Sequence, residues 1–209
     1  MLIKEEDVIA ALNAANIKPS GVLHIGAHEC EELPFYERMG ISQENVVWID
    51  AIDEKVRQAK GRGIPNVFKA VITDKDGDLV TFHRSNNVQS SSVLDFGTHA
   101  INHPGVRYVS ETVETTVTVD TFLQEHGLDA KRYDFWNFDI QGAELMALKG
   151  ALQALQHVKA LYLEVNTKEV YKKCGLIGEI DALLGERGFK RVITNITDAH
   201  WGDALYVRA

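Results

Sequence analysis

The stretch Tyr133–Ala151, YDFWNFDIQGAELMALKGA, decides the fold. Its first seven residues form a short apolar and aromatic run closed by Asp139, with no regular in–out alternation, the mark of a strand buried on both faces. Gly142 then permits a tight turn. Glu144 stands in the first turn of the helix that follows, where a carboxylate favours the positive end of the helix dipole. Leu145, Leu148, Leu152 and Leu155 place one apolar stripe along AELMALKGALQAL. A doubly buried strand feeding an amphipathic helix is the repeating unit of a parallel sheet.

The same unit recurs outward along the chain. GVLHIG, NVVWID, NVFKAVI and VKALYLEV read as strands. EELPFYERMG, DEKVRQAKG and IGEIDALLGERG read as helices, with Pro34 just inside one start and Gly40 just past its end. DLVTFHR alternates and reads as a hairpin extension. Ser85 to about Ser110 is polar with no strong period. VTVDTFLQEHG ends in a short helix stopped by Gly127. FKRVITNI and DALYVRA are separated only by residues 197–202, so they pair antiparallel at a sheet edge. Right-handed crossovers make the whole a doubly wound, mostly parallel, seven-stranded α/β sheet with an antiparallel C-terminal strand. No linker divides the 209 residues, so a single domain is expected over 1–209, with residues 1–20 as a lead-in helix built on Val8, Ile9 and Leu12.

Composition narrows the function. Lys and Arg number 22 against 30 Asp and Glu, a formal net charge of −8, and 45% of residues are hydrophobic. This is the balance of a soluble globular protein. Nucleic acid and anionic membrane are poor partners for such a chain. No apolar run reaches the length of a membrane span. MLIKEEDVIA has acidic residues where a leader would be basic and then apolar, so a cytoplasmic location is expected. Cys30 and Cys174 form no disulfide framework.

In doubly wound sheets ligands bind at the carboxyl ends of the strands. In VLHIGAHECEE, Gly26 turns the chain after the first strand, and the next helix start offers free N–H groups. A GxGxxG pattern is absent, because His28 and Cys30 stand where further glycines would be, which disfavours a dinucleotide pyrophosphate. Asp50 ends the second strand, where a carboxylate meets ribose hydroxyls. A nucleoside cofactor without a pyrophosphate fits both features, and S-adenosylmethionine is the candidate. Asp139, Glu164 and Asn166 end neighbouring strands, and three oxygen ligands there would suit Mg²⁺ or Mn²⁺. His24 reads as a packed, hydrogen-bonded histidine and His28 as a cofactor contact. His99 and His103 read as solvated loop histidines. His200 and Trp201, in the last loop, and Tyr171 are acceptor contacts.

DFWNFDIQGAELMALKGA resembles the hallmark segment of FkbM-type methyltransferases, a branch of the class I S-adenosylmethionine-dependent enzymes with a Rossmann-like fold. Asp139, Gly142, Ala143, Glu144, Leu148, Lys149, Gly150 and Ala151 match it, while Gln141 stands where the family usually has Glu. HIGAHECEE is similar to the family's cofactor loop through Gly26, Ala27 and Glu32. His24 and Cys30 depart from its usual Asp and Gly. NVVWIDA resembles the second strand, SNNVQSSSVL the Ser-rich segment through Ser91 and Ser92, and LYLEV the fifth strand. The likeness spans about residues 20–195. It implies O-methylation, often of a sugar hydroxyl. The implied cofactor contacts are Gly26, Ala27, His28, Glu32, Asp50, Ala51, Ala70, Ser91, Ser92, Asp139 and Gln141. Asp139 and Glu164 are then the catalytic pair, and Asn166, Tyr171, His200 and Trp201 face a small-molecule or glycan acceptor. The oligomeric state is open, a homodimer included. Two other readings compete, a nucleotide-cofactor oxidoreductase and a non-catalytic nucleoside-binding module on the same fold. The first is disfavoured by the missing glycines, and the second is retained because of Gln141, His24 and Cys30.

Overall fold

The computed structural model describes residues 1–209. In chain order the strands are β1 (Val22–Ile25), β2 (Val46–Asp50), β3 (Val67–Lys69), β4 (Val71–Ile72), β5 (Leu79–Ser85), β6 (Tyr108–Val117), β7 (Phe135–Phe138), β8 (Ala160–Asn166), β9 (Phe189–Ile196) and β10 (Trp201–Arg208). The helices are α1 (Glu5–Ala14), α2 (Leu33–Arg38), α3 (Asp53–Gly61), α4 (His99–Asn102), α5 (Val119–Glu125), α6 (Glu144–Lys149) and α7 (Ile177–Gly185). Seven strands form one sheet in the order β3-β2-β1-β7-β8-β10-β9. It is parallel from β3 to β8, and β10 runs antiparallel to both of its neighbours. No helix is long and apolar enough to cross a membrane.

Strand periodicity builds two cores. Leu23, Val47, Ile49, Trp136, Phe138, Leu161 and Leu163 point to one face, where α5, α6 and α7 cover them. Val22, Val46, Trp48, Phe135 and Tyr162 point to the other, under α1, α2 and α3. Both faces being dry explains the absence of polar alternation in these strands. The chain winds from β1 outward to β3, then crosses back to β7. The sheet therefore reverses direction between β1 and β7, and the crevice opens at their carboxyl ends.

The amino ends of the strands are tied by Asp134, which is 2% exposed. Its carboxylate accepts the Ser20 N–H at 2.7 Å and the Ser20 hydroxyl at 3.0 Å, and pairs with Lys159 Nζ at 2.7 Å. Asp134→Ala removes these contacts at an edge where Ser20 is exposed and the Lys159 side chain is half exposed, so water replaces part of them. It should lower the unfolding free energy by about 1–2 kcal/mol in a urea titration, with ligand affinity at the opposite edge unchanged.

Four expectations need correction. NVFKAVI is not one strand: β3 pairs with β2, while β4 pairs with β6 in a separate three-stranded sheet of order β4-β6-β5. The partner of DLVTFHR is β6, which starts at the end of the region read as polar and aperiodic and runs on through residues given no reading. Most of β6 is exposed, so it had no buried face to print a pattern, and its Val and Thr content was the available signal. The long helix AELMALKGALQAL stops at Lys149. A Cβ on Gly150 would strike the Thr73 carbonyl, and the Asp120 carboxylate caps the next turn through the N–H groups of Gln153 and Ala154. Leu152 is consequently 43% exposed rather than part of the stripe. The lead-in helix is also shorter than residues 1–20, ending at Ala14.

Candidate active site

One cavity of about 490 Å³ lies at the carboxyl ends of β1, β2, β7 and β8, within the range of small-ligand sites. Its wall includes Gly26, His28, Glu32, Asp50, Ala51, Ala70, Ser91, Ser92, Asp139, Gln141, Glu164, Tyr171 and Trp201. Three residues expected there do not reach it. Ala27 is buried against the core under α2. Asn166 is fully buried and its amide has no partner. His200 forms the turn before β10, its backbone at positive φ and its ring 3.5 Å from the Thr167 hydroxyl.

The β1 turn is built by unusual backbone. Gly26 has φ +93°, and a Cβ there would strike the Asp139 carbonyl, so only glycine lets the β1 and β7 turns meet. His28 and Cys30 stand where glycines were missed, yet both adopt the glycine-like left-handed conformation, with φ of 42° and 57°. Such strain in a non-glycine residue persists where surrounding contacts enforce it. For His28 these are its N–H to Asp50 at 2.7 Å and its ring to Glu31 at 2.7 Å. His24 packs against Trp48 and hydrogen-bonds the Tyr36 hydroxyl at 2.9 Å. Burial pulls its pKa down to about 4, so it is a neutral structural histidine.

Asp50 closes β2 with one backbone N–H on each oxygen, from His28 and Ile52, both at 2.7 Å. Burial raises its pKa and these N–H bonds oppose the rise. Each oxygen keeps a further lone pair, the requirement for accepting hydroxyl donors, and the residue lines the cavity. Beside it Ile49, Ile52, Ile72 and Phe82 give an apolar wall.

At the ends of β7 and β8 the centre is Gln141, held at φ 56°. Its Nε2 donates to Asp139 Oδ1 at 2.6 Å and to Glu164 Oε2 at 2.7 Å, and its Oε1 accepts the Tyr171 hydroxyl at 2.7 Å. Its backbone carbonyl accepts the Ser92 hydroxyl at 2.9 Å. Glu164 is 4% exposed. Burial, then the nearby charges of Asp139 and Glu144, push its pKa well above the usual carboxylate range, so it keeps its proton. Glu144 is pushed to about 8 by burial and accepts the N–H groups of Ile140 and Gly142 at 2.8 and 3.3 Å. It shapes the turn and stays out of the cavity lining. Asp139 is the member of the group that is exposed, and it faces the cavity.

The expected metal does not fit these residues. The Gln141 amide nitrogen occupies the point between Asp139 and Glu164 that a cation would hold. Asn166 is outside the cavity, and the chain brings no three His, Cys, Asp or Glu side chains together in metal-holding geometry.

Residues that the sequence reading did not assign to the site also line the cavity. Asp203 of β10 is 5% exposed and accepts the Tyr162 hydroxyl and the Leu2 N–H. The segment between β5 and β6 contributes Asn87, Ser90, His99, His103 and Val106. His99, expected in solvent, is 6% exposed. Burial, then the His103 charge, lowers its pKa to about 4. Altogether the wall carries the carboxyl groups of Glu31, Glu32, Asp50, Asp139, Glu164 and Asp203 and neither Lys nor Arg. Glu32 rises to about 7 through burial and the Glu31 charge.

Comparison with known proteins agrees with this geometry. Residues 22–191 match the family model described as Methyltransferase FkbM domain. Among solved structures, the chain is similar to magnesium protoporphyrin IX methyltransferase from Synechocystis with bound SAH, at 12% identity and a TM-score of 0.51, over 98% of this chain and 82% of that one. It is likewise similar to a putative tRNA (m1A22) methyltransferase from Streptococcus pneumoniae, at 12% identity and a TM-score of 0.51, over 100% of this chain and 71% of that one. No curated protein matches in sequence.

Proposed function

The chain belongs to the methyltransferase FkbM domain family, and from that premise we propose that it transfers a methyl group from S-adenosylmethionine to a hydroxyl of an uncharged, sugar-like acceptor. The observation that carries this reading is the cavity wall itself, six carboxyl groups with no Lys or Arg. Such a wall suits a cationic sulfonium and repels phosphates. A tRNA acceptor is disfavoured on the same ground, since nucleic acid needs clustered basic side chains.

The residues present fit the cofactor. Asp50 would take the ribose hydroxyls, the apolar wall of Ile52, Ile72 and Phe82 the base, and the Gly26–His28 turn the remainder. Bound there, S-adenosylmethionine supplies an electrophilic methyl group on a positively charged sulfur. The protein's own task is to align the acceptor oxygen and to receive its proton. Asp139 is placed for the second part. Its Oδ1 is held by Gln141, and its carboxyl is exposed on the cavity side. Glu164, protonated behind it, fixes the pair without adding a second negative charge.

A screen of glycosides and polyols for S-adenosylhomocysteine release tests the activity. Asp50→Ala should weaken S-adenosylmethionine binding by about 10- to 100-fold in calorimetry, the loss of one or two hydrogen bonds to a charged acceptor. Binding of NAD but not S-adenosylmethionine would overturn the reading in favour of an oxidoreductase.

A further inference from the structure

Away from Asp50, the cavity is walled by the segment joining β5 to β6, and one side chain there is conspicuously incomplete. His99 is buried, and its Nδ1 has no hydrogen-bond partner. Its other nitrogen, Nε2, lies 3.2 Å from the Ser90 hydroxyl. That hydroxyl also accepts the Asn87 amide at 3.0 Å, which leaves it one proton and one further lone pair to meet His99 Nε2. A neutral imidazole carries a single proton; with the Ser90 hydroxyl donating to Nε2, that proton is on Nδ1. The ring is stacked on Phe96, with centroids 4.4 Å apart and planes 12° apart. No polar atom of the chain meets its Nδ1 edge, and the residue lines the cavity. A buried N–H without a partner is unfavourable by about 1–3 kcal/mol, and in a cavity wall it marks the place of an absent acceptor atom.

We propose that His99 Nδ1–H is a substrate-binding donor that recognises an uncharged oxygen of the methyl acceptor, such as a hydroxyl or ring oxygen of a glycoside. An anionic oxygen is disfavoured because no Lys or Arg stands in the wall and six carboxyl groups do. Tyr171, 5.4 Å from the His99 ring centre to centre, donates to Gln141, which holds Asp139. The acceptor site thus adjoins the residue placed to receive its proton. This inference rests on the methyltransferase reading above and names the side of the cavity that the acceptor occupies.

The test uses the full chain with ¹⁵N-labelled histidine, saturated with S-adenosylhomocysteine and titrated with a panel of methyl glycosides. The expected result is a free-state His99 spectrum of the Nδ1–H tautomer, and a shift of that ring's nitrogens on adding at least one glycoside that is also methylated. His99→Phe keeps the stack on Phe96 and removes both nitrogens. It should raise KM for that glycoside by about tenfold, with S-adenosylmethionine affinity within twofold of the parent. His99 signals that move with S-adenosylhomocysteine and not with any glycoside overturn the inference. So does a methylated glycoside whose KM is unchanged in His99→Phe. Failure to bind S-adenosylhomocysteine at all overturns the earlier reading, and is seen before any glycoside is added.

Discussion

Asp139→Asn should lower turnover by about 100- to 10,000-fold, the usual contribution of a positioned general base, while S-adenosylmethionine affinity falls by no more than about threefold. The substitution is chosen for its shape. Asparagine keeps an Oδ1 that accepts the Gln141 amide, so the 2.6 Å contact and the β7 turn survive. What is lost is the ability of the second atom to take a proton. Glu164 cannot replace it, being 4% exposed and already protonated. Steady-state S-adenosylhomocysteine release with the acceptor found by screening gives kcat, and calorimetry gives cofactor affinity. A large loss of affinity with kcat preserved would recast Asp139 as a partner of the cationic sulfur. Full activity would remove it from the chemistry.

The sheet could be read from the sequence because its strands are dry on both faces. Phe135, Trp136 and Phe138, like Leu161, Leu163 and Val165, are wholly buried, and burial on both faces is what makes a short apolar run uninterrupted. The ligand edge followed from topology, since Gly26, Asp50 and Asp139 each end a strand near the reversal between β1 and β7. The segment between β5 and β6 was illegible for the opposite reason. Its order comes from long-range contacts, such as Tyr108 to the Phe96 N–H, Gly97 to Val170 and Ser92 to Gln141. None leaves a local period. His99 was therefore read as solvated, and Asp203, which lies in the last strand, was passed over. The missing glycines pointed to the right cofactor and said nothing of the backbone. His28 and Cys30 lack glycine's identity but adopt its backbone conformation, because His28 is held through Asp50 and Glu31 and Cys30 is packed in the core beneath α2.

Gln141→Glu carries the second large effect, and it follows from what an amide supplies that a carboxylate cannot. Nε2 gives two N–H bonds, one to Asp139 and one to Glu164. An oxygen in that place turns the contact with Asp139 into one between two acceptors, and only protonated Glu164 can still donate to it. A carboxylate at position 141 would stand 2.6 Å from Asp139, and two like charges at that distance repel by about 6 kcal/mol at an effective dielectric constant near 20, so the folded state must bind an additional proton. A carboxyl whose folded pKa lies above its unfolded value destabilises the fold increasingly as pH rises. The deficit of Gln141→Glu relative to the parent should therefore be small at pH 4 and grow toward pH 8, by several kcal/mol in denaturant titrations. Turnover near neutral pH should fall at least a hundredfold, since Asp139 loses the contact that orients it. Mn²⁺ could then supply the positive charge that the amide had made unnecessary. It should raise the melting temperature of the variant and leave the parent unmoved, and exhaustive EDTA treatment should leave the parent's activity unchanged. A parent protein that binds Mn²⁺ at micromolar concentration, or a variant indifferent to pH, would show that the amide is not what holds these carboxyl groups together.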